Sequence, residues 1–330
     1  DRRVEATTGR LYYVANPLGG IALNLGVELA PRNERGLRLR NPVMTASGTA
    51  GYGVEYAALA DIERLGAVVS KGVTLRPRSG NPQVRLAETA SGLLNSIGLQ
   101  NVGVDAVVRE YASVWSTWTV PVIVNVAGER IEEYAEVASK LEGVNGVSGI
   151  EVNISCPNVA VGGMEFGKSA EMAAAVTEAV TSETTLPVIV KLTPNVTDIA
   201  EIARAVVGAG ADAVCLINTL TGMAIDTVKR RPFLGGVSGG LSGPAIKPVA
   251  LYMVYQVCQA VDVPVVGCGG ISSADDALEF IMAGACAVQM GTATMVDPYA
   301  PLEAIDGLRR FMEREGIDDI AELVGAARLS

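Results

Sequence analysis

The sequence contains no histidine. A proton-transfer step must therefore fall to cysteine, aspartate, glutamate, lysine or tyrosine, and Ser-His or His-metal chemistry is excluded. Cys156 is the cysteine whose surroundings set it apart as a candidate base. It stands in Glu151-Val-Asn-Ile-Ser-Cys-Pro-Asn158, just past an apolar run, with Pro157 ending the run and Asn153, Ser155 and Asn158 around it. A cysteine base needs its thiolate populated, which a cation or donor such as Lys71 or Ser155 would favour. Cys215, Cys258 and Cys286 sit within apolar segments and read as small core residues. The five cysteines include no CxxC pair, so reduced thiols are expected, with no disulfide frame, metal site or iron–sulfur site on this chain.

Two lysines and two glycine-bearing turns add to the chemistry. Lys71 follows Val68-Val69-Ser70 and Lys191 follows Val188-Ile189-Val190. An ammonium carried into a cavity calls for an anionic partner, unless the side chain reaches back to the rim. A reduced flavin, negative near N1 and O2, is one such partner. Gly269-Gly270 and Gly291-Thr292 close two later runs. A missing Cβ lets an anion approach main-chain N–H groups, so both suit a phosphate, although tight turns use the same residues.

These residues need a scaffold that brings them together. Eight short apolar runs, at 42–46, 67–70, 121–126, 149–153, 187–192, 213–217, 264–267 and 287–290, read as buried parallel strands. Helical periods lie between them. Ile131, Tyr134, Ala135, Ala138 and Leu141 share one helix face, as do Ile199, Ile202, Ala203, Val206 and Val207 within 197–207. Ser273 with Asp276 predicts an N-cap ahead of a helix over 277–283. Eight βα units predict an α/β chain folded as a (β/α)8 TIM barrel, with an open doubly wound sheet as the alternative. In a barrel the C-terminal strand ends face the active site. Here they carry Ser47-Gly48-Thr49, Lys71, Asn125, Asn153 with Cys156, Lys191, Asn218-Thr219, Gly269-Gly270 and Gly291-Thr292. Any single one reads equally well as a turn or surface residue. The row does not.

One barrel domain is expected over residues 25–330. Residues 1–24 fit no βα unit and form an unassigned N-terminal extension. The glycine-rich stretch 235–243 is too short for a linker and reads as a loop over the barrel mouth. With 49% apolar residues and 19% charged, the chain can bury a large core. Its net charge of −10 argues against a nucleic-acid partner. The longest uncharged stretches, 111–128 and 280–296, are broken by polar residues, so no membrane span is expected. The opening residues show no signal-peptide pattern, and a cytoplasmic protein is expected.

Asn153-Ile-Ser-Cys-Pro-Asn158, Asn95-Ser-Ile-Gly-Leu-Gln-Asn101, Ser70-Lys-Gly-Val-Thr74 and Gly239-Gly-Leu-Ser-Gly-Pro244 together resemble the dihydroorotate dehydrogenase family, from about Leu25 to about Leu323. Cysteine in the Ser-Cys-Pro-Asn element is similar to the soluble class 1 enzymes, where the membrane-associated class has serine. The resemblance implies an FMN enzyme of pyrimidine (UMP) biosynthesis. Cys156 would take the C5 proton of dihydroorotate while the C6 hydride passes to flavin N5. It implies substrate contacts from Lys71, Asn95, Ser96, Ile97, Gly98, Leu99, Asn153, Asn218 and Thr219, with Asn158 a further one. It implies FMN contacts from Thr49, Lys71, Gly72, Asn125, Asn153, Lys191, Ile217, Gly243, Gly269, Gly270, Gly291 and Thr292. Gly98-Leu-Gln-Asn101 and 239–244 look most like the NAD-linked subgroup. That implies a homodimer joined to a separate chain carrying FAD and a 2Fe-2S cluster. The chain shows no GxGxxG of the dinucleotide-binding kind between a strand and a helix.

Two other readings stay open on the residues alone. A dihydropyrimidine dehydrogenase-type flavin barrel acting on uracil or thymine shares the glycine pairs and the Ser-Cys-Pro stretch. A flavin-free barrel binding a phosphosugar would use the same phosphate turns. A barrel that only binds a ligand would leave the lysines and Cys156 without a task.

Overall fold

Val, Ile and Ala dominate eight strands whose two faces are both buried, and this composition sets the architecture. The structure is a computed structural model describing residues 23–155, 157–158 and 164–327. The strands are β1 (Val43–Thr45), β2 (Val68–Val69), β3 (Val122–Val126), β4 (Gly149–Asn153), β5 (Val188–Leu192), β6 (Ala213–Leu216), β7 (Val265–Cys268) and β8 (Ala287–Met290). They are parallel and adjacent in sequence order from β2 to β8, and β8 pairs with β1. β1 meets β2 through a Met44–Ala67 bridge and a 3.3 Å bond from Thr45 N–H to the Ala67 carbonyl. An open doubly wound sheet would leave these two strands at opposite edges. The expected (β/α)8 barrel is therefore the fold.

A helix follows each strand: α1 (Val54–Ala57), α2 (Val104–Glu110), α3 (Ile131–Leu141), α4 (Ala170–Thr181), α5 (Ile199–Gly208), α6 (Lys247–Cys258), α7 (Ala274–Ala283) and α8 (Ala300–Glu315). The α3 bounds match the sequence period. Helix α5 starts at Ile199, two residues later than expected, because the Asp198 carboxylate accepts from the N–H groups of Ala200 and Glu201. Helix α7 starts at Ala274, earlier than expected. Ser273 and Asp276 form a capping box, and Asp276 lies inside the first turn.

Strand parity divides the core in two. Outward residues such as Val43, Val124, Val152, Val190, Leu216 and Val288 pack under the helices. Inward residues Met44, Val69, Ile123, Ile189, Ala213, Val266 and Ala287 fill the lumen. An antiparallel hairpin, Val27–Glu28 with Arg38–Leu39, closes the N-terminal end. Its Leu29, Leu37 and Leu39 join the lumen cluster. Of the expected N-terminal extension, residues 1–22 lie outside the described residues. Asn24 is tied to the other end of the chain, its N–H to the Asp318 carbonyl at 2.8 Å and its Nδ2 to Asp319 at 2.7 Å.

Over the C-terminal end lies a four-stranded antiparallel sheet of Leu86–Thr89, Gly92–Asn95, Gly239–Ser242 and Leu220–Gly222. The stretch 235–243 is thus not only a loop. Its residues 239–242 form a strand held between two others. Glycine is needed there because a Cβ on Gly240 would stand 2.0 Å from Thr219 Oγ1. Among the described residues no helix is long and apolar enough to cross a membrane.

Candidate active site

The inward parity that fills the lower lumen with aliphatic side chains places polar ones in its upper layer. Asn125 on β3, Glu151 on β4, Lys191 on β5 and Gln289 on β8 are each at most 3% exposed. They form one network. Asn125 Nδ2 donates to Glu151 Oε1 at 2.7 Å, Gln289 Nε2 donates to Glu151 Oε2, and Lys191 Nζ donates to Gln289 Oε1 at 2.7 Å. Lys191 Nζ lies 3.8 Å from Glu151 Oε1. At an effective dielectric of about 20, that separation is worth roughly 4 kcal/mol of attraction. Burial works to strip the proton from Lys191. Cys268, Glu151 and Cys215 outweigh it and hold the ammonium above its ordinary pKa. A hydrogen bond from Cys215 in turn holds the Cys268 thiol below its usual value, against burial, while burial pushes Cys215 well up.

Above this floor, the strand-end asparagines face one another. Asn218 Nδ2 donates to Asn153 Oδ1 at 3.3 Å and to Ser155 Oγ at 3.0 Å. The Asn153 carbonyl accepts from the Tyr134 hydroxyl on α3 at 2.8 Å. Thr219 is held by its carbonyl, which accepts from Asn195 Nδ2 at 3.1 Å. Cys156 and the side chain of Asn158 lie outside the described residues, but Ser155 brings the chain into this cluster.

The third wall comes from residues 71–99. Gly72 faces the floor, since a Cβ there would lie 3.1 Å from Asn125 Oδ1 and 3.5 Å from Leu99 Cδ2. Lys71 is half-buried. Burial lowers its pKa, with Glu55 opposing and Arg85 adding to the effect. Asn95 bonds the Gly240 carbonyl at 3.1 Å, Asn81 Nδ2 donates to Ser96 Oγ at 2.9 Å, and the Ile97 carbonyl accepts from Asn81 N–H at 3.0 Å. Gly98 and Leu99 both have positive φ, 69° and 54°, which turns this loop toward Gly72.

The fourth side is the glycine end. Gly269 packs against Ile217, and Gly270 has φ 77° with its Cα backed by Lys247 N and the Gly243 carbonyl. A Cβ on Gly270 would stand 2.8–2.9 Å from those two backbone atoms, so the position requires glycine. Thr292 Oγ1 lies 2.8 Å from Ser242 Oγ, and Gly291 abuts Ala46 and Thr49. Bare main chain on two neighbouring strand ends is the kind of surface that suits a phosphate. Every expected site residue among those described thus lies at one barrel end. Glu151, Gln289 and Cys268 carry no role in the sequence reading. Their signal is a polar residue, inside an apolar run, at the inward parity of Asn153 and Lys191.

A buried ammonium, bare glycine main chain and strand-end amides at one barrel end suit a phosphorylated, ring-shaped ligand with an anionic state. The family model described as dihydroorotate dehydrogenase matches residues 31–312. The chain belongs to the dihydroorotate dehydrogenase family. It is 57% identical to the "Dihydroorotate dehydrogenase B (NAD(+)), catalytic subunit" of Desulforamulus reducens, across 93% of this chain and 99% of that one. The protein of the same name in Geotalea uraniireducens is 56% identical, across 92% and 98%. A solved dihydroorotate dehydrogenase of Eimeria tenella, in complex with ferulenol, has a TM-score of 0.75 at 21% identity, covering 92% of this chain and 88% of that one. At that identity it speaks for the barrel alone. Within the family fold, the polar floor and the glycine turns fall at the end of the barrel where the strands finish.

Proposed function

We propose that this chain oxidises dihydroorotate to orotate with FMN, as the catalytic subunit of an NAD⁺-linked enzyme working in the cytoplasm. Residues 25–330 form its catalytic domain, and the assembly is a homodimer joined to an electron-transfer chain carrying FAD and a 2Fe-2S cluster. The observation that supports the reading is that Lys71, the strand-end asparagines and the glycine turns share the barrel end whose floor holds the buried ammonium Lys191.

Bound FMN would supply the acceptor for the hydride leaving C6 of the substrate. Gly243, Gly269, Gly270, Gly291 and Thr292 would hold its phosphate, with Thr49 and Ile217 lining the approach. Lys191 would hold a fixed positive charge against the flavin ring, flanked by Gly72 and Asn125. Asn95, Asn153, Asn218 and Thr219 present amide and hydroxyl groups to a ring imide, each amide both donor and acceptor. The loop Ser96-Ile97-Gly98-Leu99 would cover the substrate and exclude water. Lys71 would take the substrate carboxylate, a charge-assisted contact worth roughly 1.5–3 kcal/mol. Cys156 would remove the C5 proton. Lys71 favours this substrate over uracil or thymine, which carry no carboxylate.

The test is anaerobic mixing of the purified chain with dihydroorotate. Flavin absorbance should bleach with dihydroorotate and stay constant with dihydrouracil, and denatured protein should release FMN in about one-to-one amount. The chain alone should pass electrons to an artificial acceptor and reduce NAD⁺ poorly. Release of FAD, absence of flavin, or bleaching by dihydrouracil instead would overturn the assignment.

A further inference from the structure

The buried carboxylate under Lys191 has no task in the reaction as described. Glu151 is 0% exposed, on the strand that ends at Asn153, and two amides occupy its oxygens from either side. One of those amides, Gln289, also accepts a hydrogen bond from Lys191 at 2.7 Å. The groups facing the ammonium are Glu151 from β4, Cys215 from β6, Cys268 from β7 and Gln289 from β8, with Asn125 from β3 behind Glu151. A lysine enclosed in this way without a counter-charge loses its proton near neutral pH, as buried lysines do. A rigid carboxylate 3.8 Å away opposes this beside Cys268 and Cys215 and, through Gln289, also fixes where the ammonium points.

We propose that Glu151 and Gln289 are positioning residues that keep Lys191 protonated and aimed at the flavin in both redox states. The inference rests on the reading of Lys191 as a flavin contact. Its consequence is a proton count. If Lys191 is charged before and after reduction, two electrons enter the reduced, anionic flavin with one proton from solvent. If Lys191 is neutral in the oxidised form and charged in the reduced form, reduction takes up two protons for the same two electrons. The slope of midpoint potential against pH then doubles.

The experiment measures flavin midpoint potential against pH in the holoenzyme. The parent's slope should not steepen with rising pH between about pH 6 and 10, because its ammonium does not titrate there. Glu151→Gln, matched in size, should show a break within that window and a twofold steeper slope above it. Glu151→Asp, which keeps the charge, should restore the parent's profile. Gln289→Leu should show a break at higher pH than Glu151→Gln, since it removes the bridge and leaves the charge. A Glu151→Gln line superimposed on the parent's would overturn the proposal. So would a steepening of the slope with rising pH in the parent itself, which needs no variant to fold. Lys191→Met separates the two readings: if it leaves the potential unchanged, Lys191 does not face the flavin. If it shifts the potential while Glu151→Gln does not, the flavin contact stands and the positioning role falls.

Discussion

The two ends of this barrel are built from the same eight strands and do opposite things with polar residues. At the N-terminal end the lumen is sealed by Leu29, Leu37 and Leu39, and the polar groups lie outside the seal as ties between elements. Arg32 bonds Asp262 ahead of β7, Asn33 bonds Asp212 ahead of β6, and Arg35 reaches Glu142 beyond α3. At the C-terminal end the polar groups are inside: a charged lysine and a carboxylate in a space closed to water, beneath asparagines and bare glycine main chain. A buried ion pair is costly to desolvate and is weak evidence for a stabilising role. The molecule therefore concentrates costly groups where chemistry is proposed and apolar contacts where only cohesion is required.

That contrast breaks most severely at the upper end. Cys156→Ala should slow flavin reduction by dihydroorotate roughly 10²–10⁴-fold, the usual contribution of a positioned base. Orotate affinity and melting temperature should stay near the parent's. Stopped-flow bleaching of the flavin gives the rate, and a parent-like rate would remove Cys156 from the mechanism. The matching lesion at the lower end is Leu39→Ala. Leu39 is fully buried in the plug, so its truncation should cost about 2–5 kcal/mol of stability. Denaturant unfolding measures that loss, and the flavin-reduction rate at a temperature where the variant remains folded should match the parent's. If Leu39→Ala slows the chemistry while stability holds, the two ends are not independent.

The same contrast explains how far the sequence could be read. β4 and β8 have their expected bounds because Gly149–Asn153 and Ala287–Met290 are bounded apolar runs whose limits are set locally. β2 shrinks from four expected residues to Val68–Val69, since its ladder is decided by partners on both sides. The lid sheet was not legible. Gly239–Ser242 pairs with Gly92–Asn95, far away in the chain, and glycines give no strand signal. The candidate site is legible wherever a polar residue stands at a strand end, as Lys71, Asn218 and Thr292 do. Glu151 and Gln289 stand one step deeper, where a polar residue in an apolar run reads as a tolerated exception. Only the parity shared with Lys191 shows that they meet. The plug hairpin likewise belongs to no βα unit, and its role appears only when the barrel is closed above it.

The smallest expected effect tests whether the lower end is held by ordinary surface electrostatics. Glu142 follows α3 and accepts from the Thr184 hydroxyl at 2.6 Å, the Thr185 N–H at 2.8 Å and the Thr185 hydroxyl at 3.1 Å, with Arg35 alongside. The Thr184 hydrogen bond leads the effect, burial opposes it, and Thr185 and Arg35 add to it, bringing the carboxyl from 4.5 down to about 2. A folded pKa below the unfolded one means that the ionised group stabilises the fold. The contribution is present in full above about pH 4.5 and fades as pH falls toward 2. Because the carboxylate is partly open to solvent, screening limits it to no more than about 1 kcal/mol. Glu142→Gln should therefore be slightly less stable than the parent at pH 7, and the gap should narrow between pH 5 and 3 as the parent's unfolded chain takes up a proton that its folded state still excludes. Denaturant midpoints across that range measure the gap, and flavin reduction at pH 7 should be unchanged. A gap that stays constant down to pH 3 would mean that Glu142 ties the lower end through packing or neutral hydrogen bonds. The two ends would then differ in where their polar groups sit, and not in whether charge works there.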